Sequence, residues 1–132
     1  MRIEVAQSRL VALRDEHGRL RIEVDELLQR FKQTYSKGRL PVYLARAADH
    51  SRTPLRWRLR STGTRIELTS YDGQRVLTPL SPVVVADLLE FDRSRLRLNY
   101  ELATTTYEEE RLGDFLSASL RLAATRKTVA RR

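Results

Sequence analysis

Arg56, Arg58 and Arg60 alternate with Leu55, Trp57 and Leu59 in the run LRWRLR. Read as a strand, the run puts three guanidinium groups on one face and the only tryptophan on the other. Charges two residues apart on a strand stand roughly 6.6 Å apart. That is close to the phosphate spacing along a nucleic acid strand. A guanidinium also offers a phosphate two parallel hydrogen bonds. The chemistry suggested is therefore a grip on a polyanion. Arg65 and Tyr71 fall on the same face if the alternation continues through RIELTSY, and Tyr71 would add a stacking group. Arg52, just upstream, extends the basic run.

Charge is distributed unevenly around this run. The chain has 132 residues and a formal net charge of +8. Residues 39–61 hold six arginines against Asp49 alone, whereas residues 82–124 hold eight acids against five arginines. The tail 126–132 adds Arg126, Lys127, Arg131 and Arg132 with no acid. Arg126 and Lys127 are thus a second candidate contact to nucleic acid, although cations at a helix C-terminus also complement its dipole.

Catalysis finds little support. His17 and His50 are far apart in the chain, and His17 falls on an apolar stripe, where a packed or partner-bonded histidine is the plain expectation. Glu108, Glu109 and Glu110 are consecutive, so on a helix they point about 100° apart and do not converge. There is no glycine-rich phosphate loop, nucleophile elbow or paired-histidine metal motif, and cysteine is absent. The expectation is a non-enzymatic protein with no cofactor, no metal and no small-molecule substrate.

The elements that must position the arginines come from periodicity. Positions 3, 6, 10, 13, 17, 20, 24, 27, 31 and 34 are apolar except His17 and Thr34, which predicts an amphipathic helix over 2–37. Gly18 is the place where that helix would kink, and Gly38 would end it. Residues 39–53 read as a connector with a short helix opened by Pro41. A three-stranded meander is predicted over 55–78, with turns at Ser61–Thr64 and Asp72-Gly73. This register pairs Trp57 with Leu68 and Arg58 with Glu67. It places Leu55, Trp57, Leu59, Ile66, Leu68 and Leu77 on the inner face.

Ser81-Pro82 reads as a cap and first turn of a second helix over 82–125. Its weaker stripe runs through 88, 91, 95, 98, 102 and onward, with 104–107 as the place for a kink. The alternation Leu96, Leu98, Tyr100, Leu102 competes as a fourth strand over 95–103.

The fold class expected is α+β, in one domain: two long amphipathic helices, antiparallel and coiled-coil-like, flanking a small three-stranded antiparallel sheet. In outline this is similar to small accessory proteins of plasmids and other mobile elements, and no motif fixes a family. No apolar run approaches the 18 or so residues of a membrane helix, so a cytoplasmic location is expected. The expected partner is the phosphate backbone of DNA or RNA. The helices offer a surface for a homodimer. The competing class is a protein–protein adaptor, or a coiled-coil assembly protein, that binds an acidic partner.

Overall fold

A computed structural model describes residues 1–47 and 53–131. His50 and Arg52 lie outside the described residues. The element order is α1 (Ile3–Thr34), β1 (Val42–Arg46), β2 (Leu55–Leu59), β3 (Arg65–Ile66), α2 (Tyr71–Leu77) and α3 (Pro82–Ala130). The fold is α+β, with α1 and α3 packed along each other and a three-stranded antiparallel sheet in the order β1-β2-β3.

Helix α1 forms where the heptad pattern places it and runs unbroken through Gly18. Ala6, Leu13, Leu20, Val24, Leu27 and Phe31 are buried, and all six lie on the predicted stripe. Gly38 takes the left-handed conformation (φ 61°) that favours glycine, a little past the end of the helix. Helix α3 starts as expected, with Ser81 Oγ accepting from the Val84 N–H at 3.3 Å and Pro82 in the first turn. It continues without a break through 95–103 and 104–107, which excludes the fourth strand. Leu88, Phe91, Leu98, Leu102 and Leu116 on its stripe are buried.

The helices are antiparallel, as the contacts between them show. Arg9 pairs with Glu108 at 2.8 Å, His17 Nδ1 with Glu109 at 2.7 Å, and Glu23 with Arg97 at 3.5 Å, while the Tyr35 hydroxyl donates to Asp87. The stripe of α1 is therefore covered within the same chain. Burial and the Asp87 carboxylate push the Tyr35 hydroxyl up to about 12, from an ordinary value of 10.0. Below pH 10 the phenol is neutral both folded and unfolded. Between 10 and 12 the unfolded chain loses the proton first, so stability should fall with rising pH across that window. Tyr35→Phe should remove this part of the alkaline slope, as followed by thermal melts from pH 9 to 12.

Three parts of the sequence reading are corrected. Residues 42–46 form a strand, not part of a helical connector. Val42 and Leu44 are buried, while Tyr43 and Ala45 lie on the opposite face. The ladder is closed at its ends by Arg60 N–H to Pro41 O at 2.8 Å and Ala47 N–H to Pro54 O at 2.6 Å. Pairing with β2 overrides the helical preference of the Leu-Ala-Arg-Ala run.

The second correction is that residues 71–77 form a helix, so the meander does not run to 78. Asp72-Gly73 is not a hairpin turn. Ser70 Oγ accepts from the Gly73 N–H at 3.0 Å and caps α2, and Gly73 and Leu77 bury one helix face. A Cβ on Gly73 would lie 2.1 Å from the Glu67 carbonyl oxygen. The glycine therefore serves close packing of α2 on the backbone, not a turn.

The register of β2 against β3 also differs. Trp57 pairs with Ile66 and Arg58 with Arg65. The partners shift by two residues because the turn falls one residue earlier, with Gly63 (φ 72°) donating to Leu59 O at 2.8 Å. A shift of two preserves the faces, so Leu55, Trp57, Ile66, Leu68 and Leu77 are still buried, with Leu59 half-buried.

Both long helices lie against the Trp57 face. Phe31 meets Trp57 edge-on at 5.5 Å and Phe91 at 5.3 Å. The indole N–H donates to Asp92 Oδ1 at 2.8 Å. Because β3 is only two residues long, the N–H and C=O of Leu55 have no strand beside them. Asn99 of α3 takes both, with Oδ1 accepting at 3.1 Å and Nδ2 donating at 2.9 Å. One side chain thus continues the ladder where the strand ends.

Candidate nucleic-acid interface

The outer face of the sheet carries Tyr43 and Ala45 from β1, Arg56 and Arg58 from β2, and Arg65 from β3, with Arg60 at the end of β2. None of these is fully buried. Alternation brings them together: every residue on this face is one step from a core residue, so burial of Val42, Leu44, Leu55, Trp57 and Ile66 turns the arginines outward.

Their contacts differ in kind. Arg58 donates to the Gly63 carbonyl at 2.8 Å. The Nε of Arg60 donates to the Leu40 carbonyl at 2.9 Å, and its guanidinium lies 5.2 Å from the Tyr43 ring centroid. Arg65 pairs with Glu67 at 3.2 Å. Glu67 is shared with Arg95 of α3, at 3.0 Å. Arg58 and Arg60 are therefore held by neutral carbonyls and have no acid within ion-pair distance among the described residues. Each guanidinium has five N–H donors, and these contacts use one of them. Arg58 sits directly across from Arg65, not across from Glu67 as the sequence register had it. Like charges facing each other across strands destabilise a sheet.

The remaining sequence candidates separate from this face. Tyr71 opens α2, is exposed, and lies 5.9 Å from the Arg75 guanidinium, so it belongs to a helix and not to a strand of the sheet. Arg126 and Lys127 are exposed near the C-terminal end of α3. They stand 27 residues beyond Asn99, which touches β2. At 1.5 Å per residue that is roughly 40 Å. The tail and the sheet are two basic regions, not one site. Tyr43 is the residue the sequence reading missed. Its signal was the alternation of Val42 and Leu44 around it, hidden by the helix-favouring residues that follow.

Glu108 and Glu109 diverge to Arg9 and His17, as expected of consecutive residues on a helix. Among the described residues no group of three or more His, Asp or Glu side chains is placed to hold a metal ion. No helix of the described residues is long and apolar enough to cross a membrane. No family model, curated protein or solved structure matches the chain.

Proposed function

We propose that this chain is a non-enzymatic nucleic-acid-binding accessory protein that grips phosphates through the outer face of its sheet. One observation carries the reading. Arg58 and Arg60 are fixed by backbone carbonyls, which orient a guanidinium without neutralising it, and Arg58 is set against a third arginine. Charge held in place and left uncompensated favours an incoming polyanion, because little side-chain entropy remains to be lost on binding. The contacts are to phosphate and carry no base-reading geometry, so affinity should vary little with sequence.

The test is the salt dependence of binding to duplex DNA. Each phosphate contact removed flattens the slope of log K against log salt by about 0.9. Arg58→Gln, which keeps a donor for Gly63, combined with Arg60→Ala should flatten it by about 2. The melting temperature should stay close to that of the unmodified protein. Arg126→Ala with Lys127→Ala serves as the comparison. An unchanged slope in the sheet variant, or no binding of DNA or RNA by the unmodified protein at low salt, would overturn the proposal.

A second reading, a protein–protein adaptor, has one observation in its favour. Leu96, Tyr100 and Tyr107 are all more than half exposed on the side of α3 away from α1. Apolar residues in a row on a solvent face mark interaction surfaces.

A further inference from the structure

Gly18 has no structural reason to be glycine. It sits inside α1, where glycine costs about 1 kcal/mol relative to alanine. Its φ is not positive, and among the described residues a Cβ there would meet nothing within 4 Å. No turn requires it and no neighbour in this chain fills the space. The residues around it are Arg14, His17 and Arg21, on the same side of the helix at the i, i+3, i+4, i+7 spacing. With Glu109 of α3 they line a hollow of about 230 Å³.

Arg9 and Arg19 are paired with acids, at Glu108 and Glu16. Arg14 and Arg21 are exposed, and neither guanidinium has an ion-pair or hydrogen-bond partner among the described residues. They are seven residues apart, so roughly 10.5 Å of helix separates their Cα atoms. Side chains of arginine length span half that distance from each end, so both can converge above Gly18. Glu109 is the one acid in the wall, and its Oε1 is engaged by His17 Nδ1 at 2.7 Å. That contact fixes the imidazole and leaves Nε2 as its second nitrogen.

We infer that Arg14, His17, Gly18 and Arg21 form a phosphate-binding site, in which the two guanidinium groups clasp a phosphate seated over the bare backbone at Gly18. The side chain missing at Gly18 lets the anion approach the helix, and the arginines supply charge-assisted hydrogen bonds from either side. The site is separate from the sheet. Gly18 is seven residues, about 10 Å of rise, from Asp25, whose carboxylate pairs with Arg46 of β1. The inference does not rest on the sheet arginines. A free phosphate and a phosphodiester in a nucleic acid both present anionic phosphoryl oxygens, and the titrations below separate the two sources.

The histidine count makes the test direct. Only His17 and His50 are present, so ring resonances report on the site with one internal comparison. Inorganic phosphate and, separately, a short duplex oligonucleotide are titrated at constant pH and ionic strength. A saturable shift of the His17 ring is expected. It should weaken about tenfold with each of Arg14→Ala and Arg21→Ala. Gly18→Leu should abolish it while the melting temperature holds or rises, because leucine favours helix. That variant separates loss of binding from loss of fold. Saturation by inorganic phosphate assigns the site to a free phosphate group. Saturation by the oligonucleotide alone assigns it to a phosphodiester. If neither ligand gives a saturable shift, or the shift survives in Gly18→Leu and in the arginine variants, the site does not exist. Arg58→Gln/Arg60→Ala should leave the phosphate response intact, so failure of the sheet reading is scored separately.

Discussion

Asp92→Ala should cost about 3–5 kcal/mol of stability, the cost of breaking a buried ion pair. Asp92 and Arg95 are both buried on α3, and Asp92 Oδ1 accepts from Arg95 Nε at 2.7 Å and from the Trp57 indole at 2.8 Å. Removing the carboxylate leaves a desolvated guanidinium with Glu67, at the edge of the sheet, as its remaining acid. It also leaves a buried indole N–H without an acceptor. Asp92→Asn should be milder, since an amide oxygen can still accept from Trp57. The combination Asp92→Leu/Arg95→Met should recover most of the loss, because replacing both partners removes the unpaired charge. Urea denaturation of the three variants checks this. A loss below about 1 kcal/mol in Asp92→Ala would place the network outside the folded core. Trp57 emission offers a second readout. It should be blue-shifted in the native protein, where the indole is 1% exposed.

Leu20→Asp should unfold the chain outright. Leu20 is 1% exposed in the seam between α1 and α3, among Val24, Leu27, Leu98 and Leu102. A carboxylate there would be buried in the apolar core, and its burial costs more than a marginal domain of this size can lose. The destabilisation should be on the order of 4–5 kcal/mol or more, at the exceptional end of single substitutions. Helical circular dichroism should collapse at room temperature, since α1 and α3 carry most of the helix and each is covered mainly by the other. Arg19→Ala, one residue away on the exposed side, is the control and should cost less than about 1 kcal/mol, the worth of its exposed pair with Glu16. Native helicity with an unchanged melting temperature in Leu20→Asp would mean that the stripe does not pack on α3.

The helices were legible because their signal is long. A stripe kept in phase over 32 residues in α1 leaves one face to bury, and that face is buried. The start of α3 was equally local, since Ser81 and Pro82 act within one turn. The inner and outer faces of β2 also followed from the sequence. A strand alternates with period two, so even a register wrong by two residues leaves Trp57 inside and the arginines outside.

What the tertiary structure decided was the identity of short elements. Residues 42–46 and 71–77 are too short for periodicity to arbitrate, and their local preferences point the wrong way. Strand β1 exists because β2 needs a partner and α1 needs Val42 and Leu44 against it. Helix α2 exists because Ser70 caps it and Gly73 lets it reach the Glu67 carbonyl, a contact invisible in the dipeptide Asp-Gly. The same holds for the surface. The sequence shows how many arginines the chain has and which faces they lie on. Only the folded chain decides which are compensated: Arg95 and Arg65 share Glu67, while Arg58 and Arg60 lean on neutral carbonyls. Ion pairing depends on which acids the fold brings within about 4 Å, and those partners come from distant parts of the chain.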